Sequence, residues 1–166
     1  IVDQVLLVNV NEEPKPIDSL AIVIHVFYLD VFNDMLPMIM EYKDIKTKLF
    51  ITCLNDLHND IEKILADTSL PFLIKSVNNH GRDILPFLKI LPTVFDEKFD
   101  LVLKIHTKRS NYLNRKQLWG EDLFKKLLTK NNMRNAIGVF NRYSRVGMLG
   151  PHGNILPMSL YYGGNA

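Results

Sequence analysis

The chain has 166 residues, 47% of them apolar and 23% charged, with a formal net charge of +2. That is enough apolar chain to bury one core of ordinary size, and too small an excess of positive charge to make a nucleic acid the expected partner. The single cysteine, Cys53, excludes an internal disulfide, there is no Asn-x-Ser/Thr sequon, and no apolar run approaches the roughly 18 residues of a spanning helix. The positive charge is nevertheless clustered, with Lys104, Lys108, Arg109, Arg115 and Lys116 close together. Ile1 is not an initiator methionine, no signal-peptide pattern opens the chain, and Gly163-Gly164-Asn165-Ala166 carries no helix signal. A piece of a longer protein is the expectation.

In chain order, residues 4–10 form a short candidate strand, followed by a polar link containing Pro14 and Pro16. Residues 20–27 are nearly continuous apolar and β-branched, the pattern of a strand buried on both faces. A helix is expected from Tyr28-Leu29-Asp30 to about Tyr42, with Asp30 as its N-cap. Residues 48–54 read as the next strand, and Asn55-Asp56 as the start of a helix that spaces Leu57, Ile61, Ile64 and Leu65 on one side. A third strand at 71–77 leads through a polar turn into a helix carrying Ile84, Leu85, Leu88 and Leu91, expected to end near Pro92 or a turn later. Residues 99–106 read as the next strand. The basic loop Thr107–Asn114 follows, then an amphipathic helix over Arg115–Lys130, a helix over about Met133–Tyr143, and a short buried strand at Val146–Gly150.

Alternating strands and helices predict an α/β fold with a mostly parallel sheet and helices on both faces. Such sheets bind ligands at the carboxyl ends of their strands. In this chain those ends hold His25, Tyr28 and Asp30; Asn55 and Asp56; Asn78 to Asp83; and His106 to Ser110.

The stretch from Val77 to Leu88 organises the rest. Gly81 supplies the left-handed conformation a tight turn needs, Asp83 reads as an N-cap, and Pro86 falls in the first helical turn, where its missing N–H is harmless. Arg82 then stands beside the positive end of a helix, a place suited to a phosphate or another acidic group. The plainer alternative is that Asp83 only caps and Arg82 pairs with a surface carboxylate. Lys108 and Arg109, directly after the fourth strand of the alternating series, would complete a three-cation cradle for a diphosphate if they lie beside Arg82. A solvated basic loop is the alternative there.

Fingerprints for dinucleotide binding, a P-loop, a nucleophile elbow, Cys-x-x-Cys and a zinc-protease helix are all missing. Cys53 belongs to an apolar strand and reads as core, and Trp119 reads as helix packing before sugar stacking. His58 and His152 read as ordinary surface or loop histidines. His25 and His106 occupy equivalent places near strand ends. If their strands are neighbours they face one cleft with Asp30 and Asp83, as a metal site, an acid/base pair, or neutral histidines bonded to loop backbone.

Four segments, Ile24 to Asp30, Asn79 to Phe87, Leu103 to Ser110 and Val146 to Pro151, resemble in order the motifs of the rhamnan synthesis F family. Tyr161-Tyr162-Gly163-Gly164-Asn165 is similar to that family's next motif, so the resemblance covers roughly residues 20–166. It implies a part in bacterial rhamnose-polysaccharide and lipopolysaccharide O-chain synthesis, and a Rossmann-like, GT-A-type fold forming a single nucleotide-sugar-binding domain over 1–166, with 1–18 an extra strand and linker. The donor it implies is dTDP-rhamnose and the acceptor a growing glycan. The setting it implies is the cytoplasm at the inner face of the plasma membrane, with peripheral membrane association compatible and no nucleic acid involved.

By the same resemblance His25, Tyr28, Asp30, Asn79, Arg82, Lys108, Arg109 and Asn165 are substrate-binding candidates, and Asp83 and His106 catalytic ones, although the acceptor base is expected beyond Ala166. GT-A enzymes carry an Asp-x-Asp pair for a divalent metal at the end of the fourth strand. Here that place reads His106-Thr107-Lys108, so no cofactor is assigned and a divalent metal remains an open alternative. A noncatalytic sugar- or protein-binding module is the competing reading, and phosphoryl transfer or phosphate-ester hydrolysis a third.

Overall fold

The structure, a computed structural model, describes residues 5–7, 16–42, 45–107 and 124–151. The elements are β1 (Val5–Leu7), β2 (Ser19–Val26), α1 (Leu29–Ile39), β3 (Lys46–Cys53), a 3-10 turn (Asn55–Leu57), α2 (His58–Ala66), β4 (Phe72–Ser76), α3 (Ile84–Asp96), β5 (Leu101–His106), α4 (Lys130–Arg142) and β6 (Val146–Leu149). They fall into two compact units, residues 17–120 and residues 1–16 with 121–166.

The first unit is an α/β layer structure on a four-stranded, wholly parallel sheet in the order β4-β3-β2-β5. This is the Rossmann-like order, with its reversal between β2 and β5. The chain moves outward from β2 to β3 to β4 through α1 and α2, then returns through α3 to pair β5 on the far side of β2. Right-handed crossovers therefore put α1 and α2 on one face and α3 on the other.

Side chains alternate across the sheet, and both faces of β2 are covered: Leu20, Ala21, Ile22, Ile24 and Val26 are wholly buried. Toward α1 and α2, Leu20, Ile22, Ile24, Leu49 and Ile51 form a layer with the buried helix residues Phe32, Met35, Ile39, Ile61 and Leu65. Toward α3, Ala21, Val23 and Phe50 cluster with Ile90 and Val94, flanked by Leu73, Phe87, Phe99 and Val102. The Phe50 and Phe99 rings meet edge to face at 5.7 Å, a favourable aromatic geometry.

Three lysines rise from this same sheet face and hold α3. Lys48 bonds both carboxylate oxygens of Glu97 at 2.6 and 2.8 Å, Lys75 donates to the Lys89 carbonyl at 2.7 Å, and Lys104 pairs with Asp83. Their stems lie along apolar surface while the ammonium groups reach the helix. At the amino end of the sheet, Asp100 accepts from the Asp18 and Ser19 amides and the Ser19 hydroxyl, and Ser19 Oγ accepts from the Asp100 amide.

Several local expectations change. The N-cap of α1 is Tyr28, with Asp30 inside the first turn, and no side chain caps it. Asp83 occupies the N-cap position of α3 but makes no side-chain cap bond, its carboxylate being drawn to Lys104. Asn55-Asp56 opens a 3-10 turn, and α2 starts at His58. Helix α3 ends at the later of its two expected places, one turn past Pro92, which lies on its exposed side with Ile84, Leu88 and Phe95. There the carbonyl left unpaired by proline can bond water, and burial of Ile90 and Val94 on the inner side keeps the helix going.

In the second unit, β1 and β6 form an antiparallel two-stranded ribbon with a register irregularity between Leu6 and Leu7, and α4 follows a helical stretch at 124–128. The strand at 146–149 is therefore not part of the parallel sheet. Only Val146 of it is buried, while Gly147 and Met148 are exposed, as suits a two-stranded ribbon. The basic loop, Arg115 and Trp119 lie outside the described residues.

Lys98, just past the end of α3, has φ +55. A left-handed residue with a Cβ costs free energy that glycine does not. Lys98→Gly is expected to stabilise the protein by up to about 1 kcal/mol, seen as a raised urea midpoint. A lowered midpoint would mean that the lysine side chain contributes more than its backbone strain costs.

Candidate functional site

The reversal point between β2 and β5 is where a doubly wound sheet opens a crevice at its carboxyl edge. His25 and His106 are register partners there, on neighbouring parallel strands, so both imidazoles project on the α3 side of the sheet. The preceding pair on that side is Val23 and Lys104. Asp83, at the start of α3, reaches down to the same place: its Oδ2 bonds Lys104 Nζ and stands 3.5 Å from His106 Nδ1. The expected meeting of His25, His106 and Asp83 is thus observed, whereas Asp30 is an exposed residue of the first turn of α1.

The four groups differ in charge state for identifiable reasons. Burial pushes the His25 imidazole below its ordinary range; hydrogen bonding to Thr52 and the nearby Asp83 charge pull the other way without prevailing. Its Nδ1 lies 3.0 Å from Thr52 Oγ1, and it is a neutral residue of the sheet at pH 7. Burial pushes the Asp83 carboxyl up, but the Lys104 hydrogen bond and the charges of His106 and Lys104 together outweigh it, and the net shift is down. A carboxylate held ionised by a lysine is a weak general base; its chemistry here is to orient His106. The Lys104 ammonium also lies 5.8 Å from the centre of the Phe87 ring.

The turn leading into α3 is unusual in its backbone. Gly81 and Arg82 are consecutive left-handed residues, with φ +72 and +52. Such strain in a non-glycine residue needs its surroundings to impose it. Here Gly81 O accepts from both the Ile84 and Leu85 amides, at 3.2 Å each. A methyl group on Gly81 would also overlap the Leu85 side chain. Asn79 and Arg82 are exposed at this rim.

Thr107 is the residue that the sequence pattern did not single out. It is 3% exposed, and its Oγ1 accepts from the Phe27 and Tyr28 amides at 2.8 and 2.9 Å. Thr52 is equally unmarked, and Lys104 is noted only as one of the clustered basic residues. Lys104 sits two positions before His106 in an apolar strand, and that alternation alone puts both on one face. His58 Nδ1 lies 2.9 Å from Ser76 Oγ, at the other edge of the sheet. Cys53 is fully buried, and burial raises its thiol to about 11, in keeping with a core role. Lys108, Arg109 and Asn165 lie outside the described residues. Among the described residues no three His, Cys, Asp or Glu side chains are grouped to hold a metal, and no helix is long and apolar enough to cross a membrane.

The family model described as rhamnan synthesis protein F matches residues 1–156. Two curated relatives, both titled uncharacterized protein WxcX, come from Xanthomonas campestris pv. campestris strains B100 and ATCC 33913. They are 34% and 33% identical over 150 residues, covering 89% of this chain and 21% of each relative. The chain thus spans about a fifth of the length of the curated relatives it matches. No solved structure matches it.

Two outcomes are expected of these residues. Unfolded His25 takes up a proton near pH 6.5, whereas the folded residue does so only at lower pH; the unfolded chain then binds more protons, so stability falls as pH drops through about 6.5. His25→Gln should flatten the urea midpoint between about pH 7 and pH 5.5 relative to wild type; an unchanged slope would mean that other groups carry it. The Asp83 contribution has the same sign at lower pH: it is present above the unfolded carboxylate value and lost as pH falls through the lower folded one. Gly81→Ala should destabilise by about 2 kcal/mol or more, from the positive φ and the Leu85 overlap together. A midpoint within error of wild type would contradict that turn geometry.

Proposed function

Because the chain belongs to the rhamnan synthesis protein F family, we propose that it forms the donor-binding part of a glycosyltransferase of bacterial surface polysaccharide synthesis, taking a nucleotide-sugar such as dTDP-rhamnose at the β2–β5 crevice. The observation that carries this reading is the strand reversal itself, which gathers His25, His106, Asp83 and the Arg82 turn at one carboxyl edge. Tyr28 and Asp30, on the first turn beyond β2, would face the base and ribose, and Asn79 the ribose and diphosphate. Arg82, with Lys108 and Arg109 from the basic loop, would hold the diphosphate; Asn165 belongs to the motif that would follow on the acceptor side.

In the transfer, the bond between the anomeric carbon and the diphosphate oxygen breaks and an acceptor hydroxyl oxygen bonds to that carbon. The electron pair leaves with the diphosphate, where the fixed cations spread its charge. The hydroxyl proton passes to a base. Within this chain His106 is the candidate, oriented by Asp83 as a base is by its carboxylate partner. A GT-A-type metal does not fit the described residues at the end of β5. Among the described residues the end of β5 offers an imidazole and a hydroxyl already accepting two amides, and the carboxylate beside them is committed to Lys104. No step is routed through a metal.

That commitment of Asp83 also favours a second reading, a noncatalytic module that binds the sugar-nucleotide or a partner protein without turnover. Calorimetric titration with dTDP-rhamnose tests the first. Wild type should bind, and Arg82→Ala and Lys108→Ala should each bind about tenfold more weakly, the worth of a lost charge-assisted hydrogen bond. Binding that is equal in all three, or absent in wild type, would contradict the cation cradle. Affinity unchanged by EDTA is expected, and its loss would restore a metal to the site. Binding without sugar release in the presence of glycan acceptor would favour the module.

A further inference from the structure

The turn between β2 and α1 is fastened across the crevice by a hydroxyl some eighty positions away. Thr107 Oγ1 accepts from the amides of Phe27 and Tyr28 and contacts the His25 carbonyl at 3.5 Å, and the Thr107 amide donates to that same carbonyl at 3.0 Å. A threonine hydroxyl has one proton and two lone pairs, so these three contacts use it completely. Helix α1, meanwhile, has no side-chain cap of its own: its N-cap is Tyr28, which makes no such bond. A serine or aspartate N-cap would bond amides of the first helical turn and tie the turn only to itself. Satisfying the Phe27 and Tyr28 amides from the end of β5 joins the two walls of the crevice, the Phe27–Tyr28 turn on one side and the His106–Thr107 end on the other. The held turn carries an aromatic pair, Phe27 and Tyr28, edge to face at 5.0 Å, with Phe27 37% exposed.

We propose that Thr107 is a positioning residue for the nucleotide: its hydroxyl sets the distance between the two walls and holds the Phe27–Tyr28 aromatic pair where a base can stack. The inference rests on the nucleotide-sugar reading for its ligand, and on the hydrogen bonds alone for its latch.

Removing the hydroxyl at nearly constant shape leaves two amides without their partner. Thr107→Val and Thr107→Ser separate this role from general stability. By amide hydrogen exchange, Phe27 and Tyr28 should exchange about tenfold faster or more in Thr107→Val, with the core amide of Ile51 little changed, and near the wild-type rate in Thr107→Ser. With dTDP as the titrant, Thr107→Val should bind about tenfold more weakly and Thr107→Ser close to wild type. Exchange that rises equally at Ile51, or at neither turn amide, overturns the latch. Selective exchange with equal dTDP affinity in wild type and Thr107→Val overturns the positioning role. If wild type fails to bind dTDP, the positioning role falls together with the nucleotide-sugar reading, while the exchange result still decides the latch.

Discussion

The handedness of strand crossovers is the constraint on which the rest of this molecule depends. Two right-handed steps carry the chain outward from β2 to β4, and the only right-handed way back to the far side of β2 lays α3 across the opposite face. That return opens a crevice between β2 and β5 and brings the amino end of α3 to its rim. In a sheet built in simple sequence order β2 would not lie beside β5, and His25 would not meet His106.

Packing and charge divide the work of holding α3. The apolar cluster around Phe50, Ile90 and Val94 supplies most of the stabilisation, since buried aromatic and aliphatic side chains are worth about 1.5–3 kcal/mol each. The ion pairs at its two ends, Lys48 with Glu97 and Lys104 with Asp83, are partly solvated, and such pairs contribute little net stability. Their value is positional. One fixes the helix end near the amino edge of the sheet, and the other sets a carboxylate beside His106. Placing a lysine in the middle of β5 gives up some core burial for that control of charge at the crevice.

The architecture was legible because its signals are periodic. The nearly continuous apolar run at Leu20–Phe27 reads as a doubly covered strand, and the sites at His25 and His106 follow once alternation is granted. The details that went astray are those decided by distant partners. Asp30 and Asp83 both look like helix caps, since any acidic residue before an apolar repeat does. Neither caps: Asp30 falls inside the first turn, past the cap position at Tyr28, and Lys104 recruits Asp83. Threonine after a strand carries no sign of a partner some eighty positions earlier. The strand at 146–149 looked buried because valine, methionine and leucine dominate it, but pairing with β1 in a two-stranded ribbon leaves most of it exposed. Lys98 shows the same limit, since nothing in its neighbours announces a left-handed backbone.

These features describe a crevice whose floor is neutral at His25, whose centre is a carboxylate balanced by Lys104, and whose rim carries the strained Arg82 turn. Under the proposed function the ligand of this crevice is the diphosphate of an activated sugar. The most direct measurement is a map of amide chemical-shift changes on adding dTDP-rhamnose to the isotopically labelled chain. The account predicts changes concentrated at His25, Phe27, Tyr28, Asn79 to Asp83, His106 and Thr107. Changes centred instead on α2 or on the β1–β6 ribbon, with those amides unmoved, would contradict it.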